Sequence, residues 1–321
     1  MQAILAVTVP FFGLVLCGGL AARAQVLPAD AIPGLNVYVL YFALPCLLFR
    51  FGAATPVLDL LNPALLGVYL VAAGLIVLVT VGTALGAGTG LPDAAFGALV
   101  AAFPNTGFMG VPLLVALMGP AAAGPVICTV LADLFVTSSL CIALAQAQEA
   151  AGRGPLRALA QALRAALSNP LPWAIALGAA CSVAGVRLSG PLDTLVHMLA
   201  DSASPVALFT IGAVLGAGGA RSARRTPLAG ALALAAVKLF VHPLLVGLLA
   251  AAARRLGASI SVFQITVLTL AAALPSASNV ALLAQRYGAD IGRVARVILL
   301  STALAFVSFT LLAVALGARP R

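Results

Sequence analysis

The residues with the clearest chemical consequence sit inside apolar stretches: Pro104-Asn105-Thr106-Gly107 and, late in the chain, Pro275-Ser276-Ala277-Ser278-Asn279. A proline within a helix removes a hydrogen bond and clashes with the preceding turn. With Asn, Ser, Thr and Gly beside it, the local sequence predicts a break; two merely kinked, packed helices are the alternative. A break at Pro104 leaves the amides of Thr106, Gly107 and Phe108 at a new helix N-terminus, and one at Pro275 does the same around Ala277 and Ser278. Such an end carries roughly half a positive charge and binds anions through its N–H groups. The predicted chemistry is reversible capture of a carboxylate without an arginine. Asn105, Ser276 and Asn279 are the candidate orienting side chains.

Three ionisable residues, Asp133, Asp201 and Lys238, also fall within apolar stretches. A charge at the centre of a bilayer costs ~3 kcal/mol or more, so such residues are paired or functional by default. Asp133 and Lys238 are expected to flank the breaks. Lys238 would compensate the negative ends of the half-helices, and Asp133 the positive ends. A proton could ride on Asp133, and unwound carbonyls could hold Na+. A structural ion pair is the competing account of Asp133. Asp201 shares a helical face with Asp193 and His197, which predicts a polar lining at one end of its span. His197 and His242 are expected to be satisfied by nearby carbonyls rather than to relay protons. Arg50 is expected to reach a membrane interface with its charged end. No His-Glu-x-x-His, Gly-x-Ser-x-Gly or P-loop motif occurs. The two aspartates lack the Gly-x-Gly-Asp context of an intramembrane protease, so an enzyme is the weakest functional class. Cys17, Cys46, Cys128, Cys141 and Cys181 all lie in apolar stretches and form no Cys-x-x-Cys pair, which predicts small buried hydrophobes rather than metal ligands.

The elements that must position these groups follow from composition. The chain is 63% hydrophobic and 8% charged, the balance of a polytopic membrane protein. Length and absence of charge predict ten spans, near 3–22, 35–54, 63–86, 94–118, 121–148, 169–186, 191–217, 227–253, 259–285 and 294–317. The first is expected to be retained, since Met1-Gln2 supplies no positive leader. The net charge of +9 reflects topology rather than nucleic-acid binding. Alternate loops hold Arg23; Arg153, Arg157 and Arg164; Arg221, Arg224 and Arg225; and Arg286, Arg293 and Arg296. These 10 outnumber the 6 on the opposite side, so they predict a cytoplasmic 149–168 linker and both termini outside. The linker divides 1–148 from 169–321. Those halves repeat: Pro10, Pro45, Asn62-Pro63 and Pro104 align with Pro172, Pro205, Thr226-Pro227 and Pro275 at offsets between 160 and 171. Five spans per half is odd, so the second half enters the membrane from the other side, an inverted repeat. Gly18, Gly19, Gly67, Gly74 and Gly178 are predicted to permit close helix contacts. Pro45 and Pro205 are placed to bend their spans.

The stretch from Phe103 through Leu114, with Leu208-Phe209-Thr210-Ile211-Gly212, Lys238 with Pro243, and Pro275 through Asn279, resembles the auxin efflux carrier family over essentially the whole chain. The resemblance implies an all-α membrane protein of ten helices in two inverted five-helix repeats. It implies crossing broken helices 4 and 9, as in sodium/proton antiporter and bile-acid transporter folds. It further implies an elevator-type secondary carrier of a small organic anion, such as malonate or another mono- or dicarboxylate. Spans 3–5 and 8–10 would move against a scaffold of spans 1, 2, 6 and 7, in a homodimer of the bacterial inner membrane. Plant members of the family carry a long central loop that this chain lacks. A sodium-coupled bile-acid-type symporter and a non-transporting sensor are the competing classes. No cofactor and no nucleic-acid partner is expected.

Overall fold

The computed structural model describes residues 2–55, 62–147, 167, 169–219 and 228–318. The predicted 149–168 linker, apart from Leu167, lies outside them, as do its Arg153, Arg157 and Arg164, and also Arg221, Arg224, Arg225, Arg319, Arg321 and the Thr226-Pro227 pair. The described residues form twelve helical segments and no strand ladder. Seven are long and apolar enough to cross a membrane: α1 (Gln2–Arg23), α2 (Ala29–Ala54), α3 (Pro63–Gly86), α6 (Pro120–Gln146), α8 (Gly190–Ala217), α9 (Leu228–Arg255) and α12 (Ile291–Ala315). The shorter apolar helices are α4 (Leu91–Ala102), α5 (Thr106–Met118), α7 (Pro170–Ala184) and α10 (Val262–Ala272). The eight-residue α11 (Asn279–Arg286) completes the set.

Local chemistry explains most boundaries. Asn62 begins α3 by accepting from the amides of Ala64 and Leu65 at 3.0 and 3.2 Å, with Pro63 at the position where no donor is needed. Asn169 and Pro170 begin α7 in the same way. Ser261 and Gln264 close a reciprocal cap on α10, and Asp290 accepts from Arg293 N at 3.0 Å to start α12. Within helices, three wide π-type turns, Val39–Ala43, Thr106–Gly110 and Val237–Val241, each precede a proline: Pro45, Pro112 and Pro243. In each case the carbonyl four residues before the proline, which the ring would strike, belongs to the widened turn. A further π turn, Asp133–Thr137, has no such proline.

Two helix pairs pack most closely, α1 with α8 and α2 with α7. Glycine makes this possible. A methyl group on Gly18 or Gly212 would land 1.9 or 1.8 Å from the facing carbonyls of Phe209 and Val15. One on Gly178 or Gly52 would land 2.2 or 2.6 Å from those of Phe49 and Ile175. Gly67 and Gly74 differ from expectation: a methyl there meets nothing within 4 Å, so they set no helix spacing.

The interrupted segments are the most enclosed part of the molecule. Every residue from Ala94 to Thr106 is buried, and so is every residue from Val267 to Ala277. A helix apolar on all sides belongs in a core, and non-helical backbone at membrane depth is stable only inside protein. The outward faces of α1, α3, α7 and α12 expose Leu16, Leu78, Leu177 and Leu311, the surface a bilayer would cover.

Candidate functional site

The first helix of each interrupted segment stops where its proline predicts, and the two interruptions meet. Pro104 and Ser276 form an isolated antiparallel bridge. Asn105 N donates to Pro275 O at 2.8 Å, and Ala277 N donates to Phe103 O at 3.0 Å. Ser276 reinforces the junction twice: its hydroxyl donates to Val100 O at 2.6 Å, and its amide donates to Ser301 Oγ at 3.1 Å. Backbone that would otherwise be orphaned in an apolar core is thus satisfied by the opposite half of the chain.

This closure alters the predicted anion cradle. Thr106 N donates to Pro104 O at 2.8 Å, and Ala277 N is taken by Phe103. Two of the amides expected to bind an anion are therefore occupied. The first-turn amides of Gly107 and Phe108 on α5, and of Ser278 and Asn279 at the start of α11, have no preceding helical turn to donate to. The side chains fit the expectation better. Asn105 and Thr106 are buried, Asn279 half-buried, and Asn105 Oδ1, Thr106 Oγ1 and Asn279 Oδ1 have no hydrogen-bond partner. Asn105 caps no helix amide. Pro104, Asn105, Thr106, Gly107 and Asn279 line one small cavity with Phe103, Phe108 and Leu171. Its volume of about 20 Å³ holds roughly one water and no organic acid. The site is closed in this conformation.

Beside the junction lies a second polar group. Asp133 and Lys238 are fully buried, on the π turns of α6 and α9. They do not touch: no ion pair within 4 Å joins them, unlike Arg50–Asp201 and His197–Asp193. Instead, Tyr69 Oη on α3 donates to Asp133 Oδ2 at 2.8 Å, and the Tyr69 ring lies 5.8 Å from that of His242. His242 Nδ1 is 3.2 Å from Lys238 Nζ, which donates to Ala272 O, the last carbonyl of α10. Asp133 Oδ1, Thr137 Oγ1 and His242 Nε2 have no hydrogen bond of good geometry. The contacts from aspartate to lysine therefore run by way of a tyrosine and a histidine, whose rings lie beside each other. The sequence signal for His242 was its place one turn after Lys238, on the same helix face. Tyr69, a lone aromatic in an apolar span, carried no comparable signal.

Asp201 is elsewhere. Its side chain is 73% exposed and forms a 2.8 Å ion pair with Arg50, so it is neither buried nor part of this group. Arg50 is half-buried and held by that pair. His197 Nδ1 contacts its own helix at Asp193 O, 2.8 Å away, as expected of a locally satisfied histidine. His242 differs, because its ring nitrogen meets an amine rather than a carbonyl.

Residues 3–313 match the family model described as "Membrane transport protein". A protein of Rhizobium meliloti (strain 1021) named "Putative malonate transporter" is 31% identical over 317 residues, covering 97% of this chain and 95% of that protein. The match runs through both interruptions and both halves without restriction to a motif. This chain belongs to the auxin efflux carrier family of membrane transport proteins.

Proposed function

We propose that the protein is a secondary carrier of a small organic anion, a dicarboxylate of about malonate's size, held between the facing starts of α5 and α11. The observation that carries this reading is the bridged junction, which brings Asn105 and Asn279, each with an unpartnered carboxamide oxygen, to one small cavity. Helix N-termini attract negative charge, and a carboxamide can turn its NH2 toward a carboxylate. The name of the Rhizobium relative supports the choice of malonate as first substrate.

Movement is part of the proposal, because the cavity is far too small for its ligand. In an inverted five-plus-five arrangement, α1, α2, α7 and α8 form the scaffold. The glycine-seated pairs α1–α8 and α2–α7 support its rigidity. Helices α3–α6 and α9–α12 form the moving part. A crevice of about 480 Å³ runs between α1, α8 and α12, along the seam where such motion would occur. Both termini face outward from the inner membrane, and the 149–168 linker faces the cytoplasm. Two copies associate through the scaffold.

The test is uptake of radiolabelled malonate into proteoliposomes holding the purified protein, with competition by unlabelled mono- and dicarboxylates. Saturable uptake blocked by C3–C5 acids is expected. Absence of uptake and of binding across that panel would overturn the substrate class.

A further inference from the structure

The crevice of about 480 Å³ between α1, α8 and α12 shares no lining residue with the cavity at the junction. We propose that it is a binding site for one anionic phospholipid of the bilayer, with an acyl chain laid along α1 and the phosphate against Arg23. The site does not rest on the carrier reading, because its occupant is a component of the membrane and touches no residue of the junction.

Shape and lining match such a ligand. The lining is apolar apart from Thr302 and Arg23, and it holds no carboxylate. Along α1 it extends from Val9 to Arg23, a rise of about 21 Å for an α-helix. One leaflet of hydrocarbon is about 15 Å deep, so the crevice has the reach of an acyl chain with a cation at its headgroup end. Leu16 and Leu20 on its rim are exposed, which leaves it open sideways to the bilayer. Far from Arg23, Phe12 of α1 and Phe306 of α12 meet edge to face, their ring centres 5.3 Å apart.

Two residues point to an occupant. Gly13 lies inside α1, where glycine is less favourable than alanine. A methyl group on Gly18, Gly212 or Gly216 would strike a facing carbonyl, but one on Gly13 meets nothing within 4 Å. No protein atom accounts for that glycine; the crevice in front of it does. Arg23 is the second. It is exposed, ends α1, and forms no ion pair with any described residue, whereas Arg50 is committed to Asp201. A guanidinium holds phosphate through paired N–H donors. Phosphatidylethanolamine would bring an ammonium too, and the crevice has no carboxylate to receive it. Phosphatidylglycerol brings one negative charge, which Arg23 balances.

Native mass spectrometry of the delipidated full-length protein, titrated with phosphatidylglycerol or phosphatidylethanolamine of identical chains, tests the site. The parent should take its first phosphatidylglycerol more tightly than its first phosphatidylethanolamine. Arg23→Gln should weaken the former about fivefold, the worth of one basic residue at an anionic membrane surface, and erase the difference between headgroups. Arg187→Gln, which removes another exposed arginine outside the crevice, should not. Gly13→Phe fills the crevice from an unobstructed position and should abolish the first adduct of either lipid. Gly74→Phe, equally unobstructed but outside the crevice, should keep it. Melting temperatures establish that each variant is folded. A parent blind to headgroup would overturn the proposal, as would a headgroup preference that survives in Arg23→Gln. A folded Gly13→Phe protein that keeps its first lipid would overturn it too; if that variant does not fold, the Arg23→Gln comparison decides alone. A Gly13→Phe protein that loses a dimer and keeps its lipid would give the crevice to a second copy of the chain, against the proposal. Headgroup-selective binding in a protein that takes up no acid would remove the carrier reading and leave the lipid site standing.

Discussion

Replacing Asn105 by alanine separates substrate binding from folding more cleanly than any other single change at the junction. The carboxamide is buried, caps no helix amide, and its Oδ1 has no partner. The junction is closed by backbone, through Asn105 N and Pro275 O, and alanine keeps that bond. Removing a buried polar atom that lacks a partner relieves a desolvation penalty of about 1–3 kcal/mol, so the ligand-free variant should melt no lower than the parent. The anion should feel the opposite effect. A hydrogen bond to a charged group is worth roughly 1.5–3 kcal/mol, and each 1.4 kcal/mol is tenfold in affinity. Loss of the carboxamide should therefore raise Kd about ten- to a hundredfold. Scintillation-proximity binding of labelled malonate, on protein first shown to be monodisperse and to melt normally, gives the number. A variant that is stable and binds like the parent would remove Asn105 from the site. A variant that unfolds would refute the claim that backbone alone closes the junction.

Gly212→Val should destabilise strongly, by ~1–3 kcal/mol or more of overpacking, because its Cβ would land 1.8 Å from Val15 O; Gly74→Ala, where nothing lies within 4 Å, is the neutral control in the same melting assay. Tyr69→Phe removes the donor to Asp133 Oδ2 and should cost about 1–3 kcal/mol, read as a lower melting temperature together with reduced uptake. Arg50→Gln breaks an exposed pair with Asp201 of the kind worth ~0–1 kcal/mol, so uptake should persist; its abolition would place Asp201 on the transport path. A single cysteine at position 157, in a background lacking Cys17, Cys46, Cys128, Cys141 and Cys181, should resist impermeant reagents applied to intact cells. Labelling from outside would invert the orientation.

The interruptions were legible because proline has a local, obligatory effect on a helix. Prolines 104 and 275, each followed by small polar residues, required no knowledge of the partner. Asp133 and Lys238 stood out because an ionisable residue deep in an apolar span has few excuses. Contacts between distant elements were not legible. Nothing near Pro104 announces that Thr106 N and Ala277 N are consumed in closing the junction, since the second bond spans the two halves. Tyr69, His242 and Ser301 act through partners on other helices or one turn away, and each alone reads as an ordinary core residue. The partner of Asp201 was not legible for the same reason: a count along the chain cannot see that Arg50, 151 positions earlier, pairs with it at the surface. Glycine shows the limit most plainly. Gly18 and Gly74 are identical in one dimension, yet only the first faces a carbonyl at contact distance.

The bridge between Pro104 and Ser276 also bears on how the protein is made. Asn105 emerges from the ribosome about 170 residues before Pro275, which at roughly 5–20 residues per second is ~10–35 s. Throughout that interval the newly inserted first half carries Asn105 N–H and Phe103 C=O without the partners that later satisfy them. Lipid offers neither group a hydrogen bond. The nascent chain must keep this region in contact with water or with the insertion machinery, or hold it in a continuous helix, until the second half arrives. A chain truncated after the central linker should therefore be a substrate for membrane quality control rather than a stable half-protein, and co-expression of residues 169–321 should rescue it.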